Sequence, residues 1–169
     1  MDTEQLRALQ SPIKRQYRED PQAAQVHLNS SGDLNPEKFA YRVATAGGNV
    51  DAGLHPAAGG DGLGACSGDM LLDALVACAG VTLRAVATSM SITLKRASIN
   101  AQGDMDFRGT LGVDKQVPIG ITDIRLNFDI DADADEQQIA KLIELTERYC
   151  VIYQTLTDSP NLITTHERK

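Results

Sequence analysis

The sequence is poor in aromatic side chains and contains no tryptophan. Phenylalanine and tyrosine make up 4% of its 169 residues, although 42% of the residues are hydrophobic. The core must therefore be built mainly from alanine, valine, isoleucine and leucine. The hydrophobic fraction, with 23% of the residues charged, is that of a globular protein and excludes a disordered or fibrous chain. The length suits a single domain.

The sequence also has fewer basic than acidic residues. The chain has 16 lysine and arginine residues and 23 aspartate and glutamate residues, which gives a formal net charge of −7. A surface of this sign repels the phosphates of nucleic acids and of anionic membranes, and no basic stretch with interleaved aromatic residues offsets it. We therefore expect neither nucleic acid nor a membrane among the partners.

A secretory signal and a long hydrophobic run are both missing from the sequence. The first five residues, MDTEQ, lack a basic start, and no apolar run follows them. The most apolar stretch, Met70 to Val81, is interrupted by Asp73 and is shorter than the roughly 18 apolar residues that span a bilayer. These features predict a soluble, cytoplasmic protein.

The chain divides into two regions by pattern. Residues 1–25 are polar and charged, and Pro12 and Pro21 predict an N-terminal arm with short helical pieces. Residues 26–169 form the expected domain. Alternation of polar and apolar residues there predicts strands at 26–30, 39–44, 97–107 and 124–130, a turn at 31–33 and a last strand at 162–165.

A long apolar helix is predicted from about Met70 to Met90, with Ser67 or Asp69 as its cap. Because this helix is apolar on nearly every side, it must be surrounded by protein. Strands that bracket a buried helix, without the regular alternation of a parallel sheet, predict an α+β fold.

A second helix is predicted to begin at a capping box formed by Asp133 and Glu136 and to carry an apolar stripe that ends at Cys150. Residues 151–156 are expected to form a further short helix.

Residues 47–68 are rich in glycine. No Lys-Ser or Lys-Thr pair follows the glycines, so this segment is not a phosphate-binding loop. It is either a surface loop or a loop packed over a site, with His55 and Pro56 at its centre.

Three cysteines, Cys66, Cys78 and Cys150, occur in a chain long enough to fold without disulfides, so they are reactive or incidental rather than a framework. Cys78 lies midway along the first predicted helix, and Cys150 lies at the end of the second. A cysteine among alanine and valine is often a small core residue. Helices that packed through these two faces would, however, bring the thiols together.

Other chemistries find little support. The spacing of His55, Cys66 and Cys78 matches no standard zinc pattern, and no metal or cofactor is predicted. Neither His27 nor His55 has an evident orienting carboxylate or amide for a cysteine hydrolase. Cys66 is interpreted either as a plain loop cysteine or as a spare resolving thiol.

Two segments resemble motifs of the OsmC/Ohr family of hydroperoxide reductases. The run from Cys66 to Leu83 contains an acidic residue, then Leu-Leu-x-x-Leu-x-x-Cys and a Thr-Leu pair, as in the central-helix motif of that family. The run from Glu147 to Leu156 resembles its second cysteine motif, although Val151 stands where the family commonly has proline. With the intervening strands, the resemblance covers about residues 26–166.

The resemblance implies an intertwined homodimer, with curved antiparallel sheets around two central helices and active sites between the subunits. It makes Cys78 the peroxidatic cysteine and Cys150 the resolving one. The substrate would be an organic hydroperoxide, reduced through a Cys78 sulfenic acid and a Cys78–Cys150 disulfide. An external dithiol of the lipoyl type would regenerate the thiols.

Two charged residues are added by the same resemblance. Asp69 matches the acidic position of the motif, and Arg42 is the candidate for the arginine that stabilises the thiolate, with Arg18 as a second candidate. Nine helical residues span about 13.5 Å, so Asp69 cannot contact Cys78 directly on one straight helix. The alternative for Asp69 is a carboxylate that stabilises the start of the helix.

The sequence therefore predicts a cysteine-based peroxidase that reduces organic hydroperoxides to alcohols. The alternative is a non-catalytic protein of the same fold that binds an apolar ligand or senses redox state.

Overall fold

The computed structural model describes residues 1–168 of the chain. Its helices are Thr3–Glu19 (α1), Ser67–Ser89 (α2), Phe107–Thr110 (α3), Glu136–Tyr149 (α4) and Val151–Thr157 (α5). Its strands are Ser31–Leu34 (β1), Ala40–Thr45 (β2), Gly48–Gly53 (β3), Leu94–Met105 (β4) and Ile121–Ala132 (β5). The strands form a three-stranded sheet, β1-β2-β3, and a two-stranded sheet, β4-β5, both antiparallel. The predicted α+β class is confirmed.

The β4-β5 sheet supplies one wall of the core. Ile99 pairs with Phe128 across the two strands, and both side chains pack against buried residues of α2. The opposite face is polar and carries an exposed ion pair between Arg96 and Asp129, 2.6 Å apart. This division into an apolar and a wet face is the reason that these two strands could be predicted from their alternation.

Helix α2 contacts β4, α4 and α5 and provides most of the buried side chains. The buried hydrophobic residues of the core are Leu75, Ala79, Leu83, Val86, Ala87, Ile92, Leu142 and Cys150. The expectation that protein surrounds α2 is wrong for the single chain, because Val81 is 74% exposed and Leu71 is 40% exposed. One apolar side of this helix therefore remains uncovered.

Among the described residues, α2 is the one helix long and apolar enough to cross a bilayer by length and composition. The core helix of a globular protein passes the same test, and α2 packs against β4, α4 and α5. We therefore assign it to the core.

The N-terminal region folds differently from the prediction of short pieces. α1 is a single helix of 17 residues that includes Pro12, and one short helical piece, a 3₁₀ helix at Pro21–Ala24, follows it as expected. A capping box between Asp2 and Gln5 stabilises its start. Residues around Pro12 are exposed, so water can hydrate the carbonyl that the missing proline N–H leaves free.

The first predicted strand, residues 26–30, is wrong. Val26 and Leu28 are exposed and lie outside any strand, and β1 begins at Ser31, where a turn was expected. Gly32 belongs to this strand because β2 approaches it closely: a Cβ there would lie 2.5 Å from the Arg42 carbonyl oxygen. The glycine is thus a packing requirement rather than a turn signal.

The glycine-rich segment contains a strand that the prediction missed. Residues 48–53 form β3, which pairs along its length with β2. The tight connection uses Gly48, whose φ of +122° is a conformation that favours glycine. The predicted strand at 39–44 is confirmed as β2, within one residue at each end.

Several boundaries near the helices also need correction. α2 starts at Ser67, with Cys66 at its N-cap and no side-chain cap, so neither Ser67 nor Asp69 caps it. The capping box of α4 is formed by Asp135 and Gln138 rather than by Asp133 and Glu136, because β5 continues to Ala132.

The predicted short helix at 151–156 is confirmed as α5. The predicted strand at 162–165 is wrong: this segment is irregular, and Leu162 and Ile163 are exposed.

Candidate functional site

The cysteine pair lies where α2 meets the junction of α4 and α5. Cys78 is in the middle of α2 and is partly exposed, whereas Cys150 is fully buried. Cys150 ends α4 and precedes α5, and its ψ of 108° is extended rather than helical. The two side chains interact directly, and each thiol shifts the pKa of the other. The predicted meeting of these thiols is confirmed for the single chain.

The break between α4 and α5 creates hydrogen-bond donors at this site. The first N–H groups of a helix have no carbonyl partner within that helix. At the start of α5, the N–H groups of Val151 and Ile152 reach the sulfur of Cys78 instead. The chain thus places two backbone donors beside a thiol on another helix.

The electrostatic balance at Cys78 favours the thiolate. Burial alone raises the pKa of this thiol. Hydrogen bonds from the Ile152 N–H, from the Cys150 side chain and from the Val151 N–H lower the pKa by more than burial raises it. The Thr82 hydroxyl lowers the pKa further. Together they hold the pKa of Cys78 below its ordinary value.

At Cys150 the electrostatic balance favours the protonated thiol. Burial raises the pKa of this thiol, and the N–H groups of Tyr153 and Ile152 offset only part of the increase. Its interactions with Cys78 raise the pKa of Cys150 further. As the pH rises, Cys78 therefore loses its proton first, and the Cys150 thiol can donate a hydrogen bond to the thiolate.

An apolar shell surrounds the two sulfurs. The side chains packed around this cysteine cluster are Leu75, Ala79, Ile99, Ala101, Ile124, Leu126, Phe128, Ile152, Tyr153 and Leu156. Five of these (Leu75, Ile124, Leu126, Tyr153 and Leu156) also line an open groove of about 530 Å³, which has Glu147 among its polar residues. The groove therefore lies beside the cysteine pair.

Arg42 and Asp69 lie apart from the cysteines in the single chain. Arg42 projects from β2 and forms an ion pair with Asp51 on β3, at 2.8 Å. That pairing, a hydrogen bond first and charge attraction next, holds the pKa of Arg42 above its ordinary value. Asp69 is exposed in the first turn of α2. Neither residue is among the groups that set the pKa of Cys78.

The glycine-rich segment does not contact the cysteine pair through His55. The His55 ring stacks on Phe107, with centroids 4.8 Å apart, and its Nδ1 accepts a hydrogen bond from the Ala57 N–H. Cys66 precedes α2, twelve residues and about 18 Å of helical rise from Cys78. Within residues 1–168, no group of three His, Cys, Asp or Glu side chains is arranged to hold a metal ion.

A family model described as OsmC-like protein matches residues 59–165. The chain belongs to the OsmC-like family. No curated protein matches its sequence.

Solved structures share the OsmC-like fold at low sequence identity. An OsmC-like protein from Mycoplasma pneumoniae is 20% identical, with a TM-score of 0.66 over 80% of this chain and 90% of that one. An organic hydroperoxide resistance protein OsmC from Legionella pneumophila is 14% identical, with a TM-score of 0.55 over 79% and 93% of the two chains. The organic hydroperoxide resistance protein OhrB of Bacillus subtilis is 17% identical, with a TM-score of 0.52 over 79% and 93%.

The sequence prediction missed two contributors to this site, and it gave no role to a third, Thr82 of the Thr-Leu pair in the motif. The N–H groups of Val151 and Ile152 become donors only because the chain leaves the helical conformation at Cys150, which no residue type signals. Thr82 was detectable in principle, since it follows Cys78 by four residues and so lies on the same face of α2.

Proposed function

We propose that this OsmC-like chain is a thiol-dependent peroxidase that reduces organic hydroperoxides to alcohols. The observation that carries the proposal is the paired environment of the two thiols. Cys78 has a lowered pKa and is partly exposed, whereas Cys150, beside it, has a raised pKa and is buried. A reactive thiolate next to a protonated partner is the arrangement that a peroxidatic and a resolving cysteine need.

In the first step, the Cys78 thiolate attacks the terminal oxygen of the hydroperoxide. A sulfur–oxygen bond forms, the peroxide oxygen–oxygen bond breaks, and the electron pair leaves on the alkoxide, which takes a proton from water. The sulfur of Cys78 is oxidised to a sulfenic acid, and the peroxide is reduced to the alcohol.

In the second step, the sulfur of Cys150 attacks the sulfenic sulfur. The disulfide forms, the sulfur–oxygen bond breaks, and the oxygen leaves as water. An external dithiol, proposed to be of the lipoyl type, then reduces the disulfide by two exchange reactions and is itself oxidised to a disulfide. The adjacency of the two thiols in one chain supports this step, because a disulfide requires Cα atoms within about 7 Å.

The groove beside the cysteines supports an organic rather than an inorganic peroxide. Its apolar wall includes Leu75, Leu126 and Leu156, which also pack around the cysteine pair. An alkyl or aryl group gains free energy when it leaves water for such a surface, whereas hydrogen peroxide has no apolar group to bury.

We also propose that the chain forms a homodimer that completes the site. The uncovered side of α2, with Val81 and Leu71, and an apolar groove of about 410 Å³ that includes Leu34 and Phe39, favour association. Arg42 is proposed to approach Cys78 across this interface, with Asp69 as its carboxylate partner.

Val81→Glu is expected to convert the dimer to a monomer at micromolar concentration, because it would bury a charge in an apolar interface. Light scattering coupled to size-exclusion chromatography measures the mass. Val113→Glu is the matched control, since Val113 is 72% exposed, as Val81 is 74%, but lies in the β4-β5 connection. A wild-type monomer, or equal dissociation by both variants, would contradict the proposal.

The rival function is a non-catalytic protein that binds an apolar ligand or senses redox state. The two are separated by incubating the reduced chain with cumene hydroperoxide and an excess of dithiol. The peroxidase consumes many equivalents of peroxide per chain, whereas a sensor consumes about one and stops, and a binder keeps its thiols. We place the reaction in the cytoplasm, where dithiol reductants keep thiols reduced.

A further inference from the structure

The groove beside the cysteine pair has one charged side chain among its described lining residues, that of Glu147. Its other polar groups are the hydroxyls of Thr122, Tyr153, Thr157 and Ser159, and the rest of its wall is apolar. No lysine, arginine or histidine of residues 1–168 lines it. A molecule in this groove therefore meets an apolar surface and one negative charge.

The half-buried side chain of Glu147 forms no ion pair within residues 1–168. The next residue, Arg148, is exposed and lies 5.7 Å from the ring centroid of Tyr149, and neither of these two lines the groove. The Gln154 side chain donates a hydrogen bond at 2.9 Å to the backbone carbonyl of Glu147, not to its carboxylate. The carboxylate is therefore free to act on a molecule in the groove.

The other cations that bear on the site are already paired with carboxylates. Lys141, on the same helix as Glu147, pairs with Glu144 at 2.6 Å. Arg42, the proposed contribution of a partner subunit, pairs with Asp51 in its own chain and is proposed to pair with Asp69, so it brings no surplus positive charge. The negative charge of the groove is thus uncompensated in the described part of the chain.

We propose that this groove binds alkyl or aryl compounds whose polar group is uncharged or cationic, and that Glu147 excludes those whose polar group is anionic. The binding itself requires only the groove. Its consequence for catalysis rests on the proposed peroxidase function: the substrates would be uncharged organic hydroperoxides and esters of fatty-acid hydroperoxides, and the free acids would be poor substrates.

The apolar wall and the carboxylate have separate effects on binding. Apolar contact supplies affinity to any alkyl chain, whatever its polar group. An unpaired charge supplies selectivity, because it penalises the wrong ligand more than it favours the right one. Two like charges about 4 Å apart in water repel by an amount that weakens binding about fivefold, and the repulsion is larger beside an apolar wall.

The experiment measures, by isothermal titration calorimetry, the affinities of three eight-carbon ligands that differ in charge: octanol, octanoate and octylammonium. The proteins are the reduced wild type, Glu147→Gln and Glu144→Gln. Glutamine keeps the size of glutamate and removes its charge. Glu144→Gln is the matched control, since it changes the net charge equally on the same helix, but Glu144 is exposed and lies outside the groove.

Glu147→Gln is expected to bind octanoate about three- to tenfold more tightly than the wild type and octylammonium more weakly by a similar factor. Its affinity for octanol should be unchanged, and Glu144→Gln should bind all three ligands as the wild type does. A merely structural change would not shift two ligands of opposite charge in opposite directions. An ionised group prefers water in any protein, so the effect of the substitution decides the test, not the wild-type order.

Absence of octanol binding to the wild type, an unchanged octanoate affinity in Glu147→Gln, or an equal change in Glu144→Gln overturns the proposal. Turnover is measured separately with linoleic acid hydroperoxide and its methyl ester. The ester should have the higher kcat/KM in the wild type, and Glu147→Gln should raise kcat/KM for the acid alone. The expected affinities in a protein without turnover would retain the binding site and reject the peroxidase function.

Discussion

Replacing Cys78 with serine is expected to abolish hydroperoxide reduction. The serine hydroxyl is almost the same size as the thiol, but it does not ionise near neutral pH and forms no sulfenic acid. The backbone donors at the start of α5 would remain in place, yet they would have no thiolate to stabilise. The loss of a nucleophile of this kind lowers turnover by more than about 10⁴-fold.

The measurement is the steady-state consumption of cumene hydroperoxide with a dithiol in excess. Cys66→Ser is the matched control, because Cys66 precedes α2 and lies about 18 Å of helical rise from Cys78. This control should retain the wild-type rate. Turnover by Cys78→Ser at more than a few per cent of the wild-type rate would contradict the assignment of Cys78 as nucleophile.

Replacing Cys150 is expected to separate the first chemical step from the cycle. Cys78 should still be oxidised by one equivalent of hydroperoxide, but no disulfide forms within the chain and turnover stops. The sulfenic acid then persists and is oxidised further to the sulfinic acid by excess peroxide. Intact mass spectrometry follows both products.

Two variants at this position distinguish the two roles of Cys150, which donates a hydrogen bond to Cys78 and resolves the Cys78 sulfenic acid. Cys150→Ser keeps a hydrogen-bond donor beside Cys78, whereas Cys150→Ala removes it, so only the alanine variant should raise the pKa of Cys78. Cys150 is fully buried, and the bond to Cys78 spares the serine hydroxyl the cost of about 1–3 kcal/mol that an unpaired buried hydroxyl would carry. Continued turnover by either variant would show that another thiol resolves the sulfenic acid.

The parts of the fold that the sequence predicted are those in which one residue pattern decides the structure. The alternation around Ile99 and Phe128 set the β4-β5 sheet, and the apolar run from Leu71 to Val86 set α2. The wrong strand at 26–30 had the same alternation, but no strand among residues 1–168 pairs with it. Alternation indicates a strand only where a neighbour completes its hydrogen bonds.

The approach of the two cysteines could be predicted from the sequence, but the electrostatics around them could not. Cys78 and Cys150 each occupied the apolar face of a predicted helix, and so their meeting could be expected. What lowers the pKa of Cys78 depends on the break at Cys150, which turns the amides of Val151 and Ile152 toward another helix. The cost of burial and the gain from these donors depend on distances that no sequence pattern encodes.

The arginine predicted for the site shows a different limit of sequence-based prediction. Arg42 was chosen by resemblance alone, and in the single chain it pairs with Asp51 on the neighbouring strand. A residue that acts across an interface between two subunits leaves no periodic signal in its own chain. Its role remains a prediction that the dimer must test.

The central claim is that Cys78 and Cys150 form one redox pair, and peptide mapping after a single equivalent of hydroperoxide tests it most directly. The reduced wild-type chain is treated with cumene hydroperoxide, alkylated, digested without reductant and analysed by mass spectrometry. The proposed mechanism predicts a disulfide between Cys78 and Cys150 of the same chain, with Cys66 alkylated. Recovery of alkylated Cys78 and Cys150, or a disulfide that joins Cys66 to either of them, would contradict it.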